Sequence, residues 1–522
     1  MKEILNEIKY PVGIQTFRKI REEGYLYVDK TRYIPSLLRG QFYFLSRPRR
    51  FGKSLFLSTL ESFFNGEKHL FKGLAIEKMD VEWICRPVLH IDLSSRLYEK
   101  TESLVEALNA QLEFWEEEYG NERQDRAVEE RFGYIIRRAY EKTGKEVVIL
   151  VDEYDKPMLA AIDKPEILEN YRKILKAFYS NLKSMDRYIK FAMLTGVARF
   201  SKVSIFSDLN NLNDISFVEH YAAICGITAE ELESYFNESI LQFAEENDST
   251  PEKVKSQLKQ RYDGYHFTKK SPDIYNPYSL MKVFENKSME SYWFESGTPT
   301  HLVSLIKSGN WRLAEVAPIT YDAEELKAAG ILSRDPVPVL YQAGYLTIKW
   351  YDSEYQEYLL DYPNEEVKTG FLKFILKAYI PETSSSRGLG IRDFIKEIRR
   401  GEPEAFMKRF NSLLAGMAYN EKGNKEARFQ DAIYLIFTLL GESAQMEQRT
   451  SDGRIDLKVE TSEYIYIFEF KIDSDALSAI DQIKQKQYWM PFQYTGKTIY
   501  LIGANFDTKT GRLSDYIVKQ QP

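Results

Sequence analysis

The chain has 522 residues, of which 43% are hydrophobic, 29% charged and 14% aromatic, with a formal net charge of −7. That length predicts about three or four domains, with cores large enough to need no disulfide scaffold, and the two cysteines, Cys85 and Cys225, form one bridge at most. No C-x-x-C or H-x-x-x-H spacing joins the cysteines to the five histidines, which excludes the usual Cys/His zinc patterns.

The start, Met1-Lys2-Glu3-Ile4-Leu5-Asn6-Glu7, lacks the basic and apolar regions of a signal peptide. No apolar run nears the roughly 20 residues that a membrane helix needs. A cytoplasmic, soluble protein without membrane contact is the expectation. The charge is uneven: residues 1–60 hold 12 Lys/Arg against 5 Asp/Glu, a balance of +7, so the remainder sums to −14.

In chain order, Gln41–Leu45 reads as a buried strand, Ser46–Phe51 as a loop and Lys53 to about Phe64 as a helix, with Leu55, Leu57, Leu60 and Phe63 on or near its inner face. Arg86–Leu93 reads as a second strand, and Glu102 to about Glu118 as a helix with Leu104, Leu108 and Leu112 at i, i+4 and i+8. Glu146–Val151 is a continuous β-branched run ending in Asp152, the pattern of a parallel strand covered on both faces, and Tyr188–Leu194 follows as another. Strands alternating with helices predict a doubly wound α/β sheet over residues 1–217. Residues 218–415, punctuated by Pro272, Pro277, Pro299, Pro336 and Pro338, read as a mostly helical, aromatic-rich middle region. A third region, 416–522, opens on a polar junction at Asn420–Lys425 and then returns to helix and strands.

Between the first strand and helix stands Arg47-Pro48-Arg49-Arg50-Phe51-Gly52-Lys53-Ser54. Its end matches the phosphate-loop pattern G-x-x-x-x-G-K-[ST], with Arg47 in place of the first glycine. Such a loop points backbone N–H groups at phosphates, Lys53 reaches the β and γ oxygens, and Ser54 can ligate Mg²⁺. The loop from Arg49 through Arg50, Phe51, Gly52, Lys53 and Ser54 is therefore the expected nucleotide contact. Arg47, Arg49 and Arg50 either add charge to the phosphate cradle or form a solvated loop. Val147–Val151 followed by Asp152 and Glu153 supplies the second half, one acid for the Mg²⁺ shell and the next for the attacking water.

These motifs, with Tyr27-Val28-Asp29-Lys30-Thr31, Val151-Asp152-Glu153-Tyr154-Asp155-Lys156-Pro157, Thr195-Gly196-Val197-Ala198-Arg199-Phe200 and Phe206-Ser207-Asp208-Leu209-Asn210-Asn211-Leu212, resemble the bacterial AAA-ATPase-like proteins. The resemblance spans nearly the whole chain and implies a P-loop NTPase domain joined to a C-terminal PD-(D/E)XK nuclease-like domain. It implies that Lys53, Ser54, Asp152 and Glu153 serve ATP and Mg²⁺, and that Thr195 senses the γ-phosphate. Arg199 is either a phosphate-sensing arginine or a surface ion pair.

In the third region, Ser451–Val459 reads as a turn entering a strand and Tyr464–Lys471 as a second strand. Period two places Ile465, Ile467, Glu469 and Lys471 on one face and Tyr466, Phe468 and Phe470 on the other. A charged pair at the end of an apolar strand costs free energy unless paired or bound to a metal. Asp456 and Glu469 are thus candidate ligands of Mg²⁺ or Mn²⁺, with Lys471 offsetting transition-state charge. This is the PD-(D/E)XK arrangement implied by the resemblance. Glu426 on the preceding helix and Gln482 on the following one are outlying members, and Tyr488 stands further from Gln482 than a Q-x-x-x-Y spacing allows.

The expectation is an ATP-binding, ATP-hydrolysing protein coupled to a metal-dependent phosphodiesterase acting on DNA or RNA. The alternative is a nucleotide-controlled switch whose nuclease-like domain only binds. Residues 417–522 carry 13 Lys/Arg and 15 Asp/Glu, which favours the second reading, since a phosphate backbone calls for an excess of cations. A further reading stacks single-stranded bases on Tyr262, Tyr265, Phe267, Tyr292, Trp293, Phe294, Tyr341 and Tyr345, against the plain alternative that these rings are core.

Overall fold

The computed structural model of the chain describes residues 8–94, 96–120, 125–199, 211–295, 316–330, 333, 335–379, 391–416, 425–439, 441, 444–450 and 453–521. They form two compact units, one of residues 1–305 and 318–368, the other of 306–317 and 369–522.

The first unit is organised by five strands: β1 (Phe42–Ser46), β2 (Val88–Asp92), β3 (Val147–Asp152), β4 (Ile189–Gly196) and β5 (Asn213–Asp214). All pair in parallel, in the order β2-β3-β4-β1-β5. Every residue of β1 and β3 is buried, because helices cover both faces of a parallel sheet. The helix Lys53–Phe64 begins directly after the loop that leaves β1, with Gly52 as its N-cap at φ +92°, a conformation that glycine adopts without strain. The helices Ser103–Tyr119, Val128–Thr143 and Pro165–Tyr179 complete this α/β layer.

The same unit continues into a helical part. A short antiparallel ribbon, β6 (Ile227–Thr228) with β7 (Ile274–Tyr275), accompanies the helices Ala229–Glu246, Pro251–Tyr262 and Pro277–Asn286, which share a core containing Phe236, Ile240, Leu258, Leu280 and Phe284. An antiparallel sheet that the helical reading does not anticipate follows: β8 (Ile319–Asp322), β9 (Thr347–Asp352) and β10 (Glu357–Asp361), in the order β8-β10-β9. The aromatics of this part are core. Tyr262, Tyr265, Phe267, Tyr292, Trp293, Tyr341 and Tyr345 are all buried and Phe294 is half-buried, which withdraws them from base stacking. Phe51 packs edge-on against Tyr265 and Phe267, at centroid distances of 4.8 and 5.4 Å, and so fastens the loop after β1 to the helical part.

The second unit holds a five-stranded sheet in sequential order: β11 (Ala444–Thr450), β12 (Gly453–Glu460), β13 (Tyr464–Ile472), β14 (Thr498–Asp507) and β15 (Arg512–Gln521). Only β13 and β14 are parallel, and the helix Ala476–Gln485 makes the crossover between them. The expected alternation on β13 holds. Ile465 and Ile467 meet Ile480 and Ile483 of the crossover helix, while Phe468 faces Phe406 and Phe437 from the helices Pro403–Gly416 and Lys425–Leu439. Gly503 on β14 is required by this packing, since a Cβ there would lie 2.7 Å from the Ala476 carbonyl oxygen. Among the described residues no helix is long and apolar enough to cross a membrane.

Candidate functional site

The strand order inserts β4 between β1 and β3, with Leu45 opposite Thr195 and Val151 opposite Leu194. The loop after β1 and the acids after β3 therefore flank the C-terminal end of β4. Thr195, fully buried there, donates its hydroxyl to Asp152 Oδ1 at 2.7 Å, and the same oxygen accepts the Glu153 N–H at 3.0 Å. Glu153 itself has φ +48°, an uncommon conformation outside glycine, and it turns the chain sharply after β3.

Lys53, Ser54, Gly52, Arg49, Arg50 and Glu153 line one cleft of about 490 Å³, within the size range of small-molecule sites. Lys53 is buried and donates to the carbonyls of Arg47 and Pro48 at 2.9 and 3.0 Å. Burial pushes its pKa down, and the carboxylates of Asp152 and Asp155 oppose that shift. Its ammonium is thus held by loop carbonyls at the wall of the cleft. Ser54 and Asp152 have the oxygen chemistry that a Mg²⁺ ion takes.

The rest of the predicted set divides. Arg47 is only 1% exposed, donates to the carbonyls of Ser46, Ser216 and Tyr221, and lies 4.2 Å from the Phe267 ring centroid. It is neither a phosphate-cradle residue nor part of a solvated loop, because its guanidinium satisfies buried carbonyls. Arg50 stacks on Tyr278 at 3.7 Å and donates to the Tyr292 carbonyl at 2.7 Å. Arg49 is exposed. The Phe51 ring leaves the loop for the aromatic core. Arg199 pairs with Asp214, donates to the Lys327 carbonyl and covers Phe217, so it is engaged away from the cleft. Of the Phe206–Leu212 motif, residues 206–210 lie outside the described residues.

The cleft also has walls that the sequence reading did not name: Pro11–Gln15 on one side and Pro277, Tyr278 and Met281 on the other. The Pro277 side comes from the run Asn276-Pro277-Tyr278, a helix-start pattern in the sequence. Asn276 caps its helix by accepting from the Ser279 N–H, Pro277 takes the first turn, and Tyr278 underlies Arg50. The Tyr27–Thr31 motif is structural. Lys30 is buried and paired with Glu231 at 2.6 Å, and Asp29 accepts from the Thr31 and Ala75 N–H groups.

In the second unit the antiparallel register of β12 and β13 pairs Leu457 with Phe468, which sets Asp456 across from Glu469. Asp456 Oδ2 accepts from the Phe470 N–H at 2.9 Å. Glu469 is 2% exposed, its Oε2 has no hydrogen-bond partner, and burial beside Asp456 pushes its pKa up to about 7. A buried orphan carboxylate oxygen next to a second carboxylate fits a divalent cation. Lys471 Nζ donates to Glu469 Oε1 at 3.1 Å and to Gln482 Oε1 at 2.5 Å, and Gln482 lies 3.5 Å from the Tyr488 hydroxyl. The long Gln482-to-Tyr488 spacing closes because the helix ends at Gln485 and the next turn brings Tyr488 back into the core. Glu426 belongs to the first turn of Lys425–Leu439, and its side chain lies outside the described residues. No third His, Cys, Asp or Glu joins the pair among the described residues.

A family model described as "Predicted AAA-ATPase" matches residues 11–206, and one described as "PD-(D/E)XK nuclease superfamily" matches residues 424–516. The chain is also similar to an "Uncharacterized protein in vnfD 5'region" of Azotobacter chroococcum mcd 1, 36% identical over 527 residues that cover 98% of this chain and 99% of the other. The chain belongs to the AAA-ATPase-like family and carries a PD-(D/E)XK nuclease-superfamily domain at its C-terminal end.

Proposed function

We propose that the chain binds and hydrolyses ATP with Mg²⁺ in its first unit, and that this activity is coupled to a metal-dependent phosphodiesterase in its second, acting on DNA or RNA. The observation that carries the reading is the convergence of Lys53, Ser54 and Glu153 on one cleft from distant parts of the chain. Lys53 exchanges its two loop carbonyls for phosphate oxygens when nucleotide enters. The Pro11–Gln15 and Pro277–Met281 walls take the nucleoside. Glu153 holds the water that attacks the terminal phosphorus, and Thr195 keeps Asp152 oriented. A divalent cation on Ser54 and Asp152 supplies charge neutralisation at the phosphates.

At the second site, Asp456 and Glu469 are the proposed cation ligands, and the cation supplies a bound water of lowered pKa. Lys471, held by Gln482, stands beside them to offset charge on the phosphodiester. The test combines phosphate release from ATP with cleavage of single- and double-stranded DNA and RNA, in Mg²⁺ or Mn²⁺. Lys53→Ala is expected to abolish the first activity, and Asp456→Ala or Glu469→Ala the second. Cleavage that survives both carboxylate substitutions overturns the nuclease assignment. ATP-dependent partner binding, lost in Lys53→Ala and kept in Asp456→Ala without any cleavage, favours a nucleotide-controlled switch, the reading that the near-neutral C-terminal charge supports.

A further inference from the structure

Transfer of a terminal phosphoryl group builds negative charge on its oxygens, and enzymes of this type place a cation there in addition to the loop lysine. Most cations near this cleft are committed. Arg47 is buried among carbonyls, Arg50 is bonded to Tyr292 and stacked on Tyr278, and Arg199 is paired with Asp214.

Arg49 also lines the cleft and is exposed, but Lys156 is the lining cation that the structure places beside Glu153. It lines the same cleft as Lys53, Ser54 and Glu153, its side chain is 35% exposed, and its Nζ lies 4.0 Å from Glu153 Oε2. The backbone that carries it is fastened at several points. The Lys156 N–H donates to the Glu153 carbonyl at 2.9 Å, and the Tyr154 N–H to the Thr195 carbonyl at 3.1 Å. The Tyr154 hydroxyl donates to the Ala198 carbonyl at 2.8 Å. Beneath the turn, the buried carboxylate of Asp155 accepts from the Val197 and Ala198 N–H groups at 2.9 and 2.6 Å. The turn after β3 is thereby pinned to the end of β4, which fixes the backbone that carries both Glu153 and Lys156.

We propose that Lys156 is the cation, supplied within the same chain, that contacts the terminal phosphate of ATP, an assignment that rests on the nucleotide reading above. Water attacks the γ-phosphorus, Glu153 takes its proton, the bond from phosphorus to the β,γ-bridging oxygen breaks, and that oxygen leaves on ADP with the electron pair. Inorganic phosphate is released, and the proton passes from Glu153 to solvent. Throughout, the Lys156 ammonium faces the non-bridging γ-oxygens.

Isothermal titration of the full chain with ATP and with ADP, in Mg²⁺, tests this independently of turnover. Lys156→Ala is expected to weaken ATP about tenfold while leaving ADP within about twofold, with turnover falling about 100-fold or more where the parent hydrolyses ATP. Lys156→Arg restores most of the ATP preference. Equal losses for ATP and ADP, or an unchanged ratio with unchanged turnover, overturn the assignment. A parent chain that binds neither nucleotide overturns the nucleotide reading and this inference together. A parent that binds ATP without hydrolysing it leaves the affinity ratio as the deciding measurement.

Discussion

The Thr195 hydroxyl and Asp152 Oδ1 are hydrogen-bonded at 2.7 Å across the seam between β4 and β3. One oxygen of the acid is thereby occupied, and its rotation is limited at the edge of the cleft. Thr195→Val keeps the shape and removes the donor from a buried carboxylate, a loss of about 1–3 kcal/mol. The expected outcome is a lower urea midpoint together with a drop in ATP turnover that exceeds any change in nucleotide affinity. Thr195→Ser is expected to restore both. Equal effects of Val and Ser would show that the hydroxyl does not act through Asp152.

Arg47 and Arg49 sit two residues apart in one loop and have opposite surroundings. Arg47→Ala leaves the carbonyls of Ser46, Ser216 and Tyr221 without their donor, so the expected effect is a large fall in melting temperature. Arg47→Lys is expected to recover little of it, because one ammonium cannot span the fork of contacts that a guanidinium makes. Arg49→Ala, at an exposed position lining the cleft, is expected to leave the melting temperature unchanged and to weaken nucleotide binding several-fold. Thermal melts and nucleotide titrations on the three variants separate the roles.

Lys30 and Glu231 form a buried ion pair in which Glu231 also accepts the Thr228 N–H, closing a capping box at the start of Ala229–Glu246. Lys30→Met removes the nearer of two cations from this buried carboxylate and leaves it the Arg32 guanidinium at 3.3 Å, so the expected loss is smaller than the roughly 3–5 kcal/mol of a fully stranded charge. Adding Glu231→Gln removes the under-compensated charge and keeps the cap acceptor, so the double variant is expected to be more stable than Lys30→Met alone. Urea denaturation of the four members of the cycle measures the coupling, and simple additivity would rule the pairing out as the cause.

The local parts of both sites were legible because they rest on short-range patterns. The helix at Lys53–Phe64 follows from a strand, a glycine-containing loop and an apolar face, and the fully buried β3 follows from its β-branched run. The pairing of Glu469 with Lys471 follows from period two on β13. What was not legible depends on contacts distant in sequence. A charged residue in a loop reads alike whether it is solvated or buried, and Arg47 is buried only because carbonyls near residues 216–222 converge on it. Tyr278 forms part of the cleft because a separate helical part folds beside the phosphate loop, which no local periodicity reports. The sheet β8-β10-β9 was hidden among closely spaced aromatics and prolines, although Tyr358 and Leu360 of β10 do alternate inward.

At the second site, Glu469 makes a pH-dependent prediction whose sign is set by burial beside Asp456. Its folded pKa, about 7, lies above the ordinary glutamate value of 4.5. Between those two values the folded chain binds more protons than the unfolded one, so stability is fully present below about pH 4.5 and is lost as pH rises toward and through 7. Above pH 7 the carboxylate is charged and buried, and its Oε2 lacks a donor, which is the condition that a divalent cation relieves. Mn²⁺ or Mg²⁺ is therefore expected to raise the unfolding temperature of the second unit clearly at pH 8 and little at pH 5.5. Glu469→Gln is expected to flatten both the pH dependence and the cation effect, while Asp456→Asn lowers the Glu469 pKa by removing its neighbouring charge and weakens the cation effect. Melting curves at the two pH values, with metal and with chelator, check the sign. A cation effect that is equal at both pH values and survives Glu469→Gln would place metal binding elsewhere than at this pair.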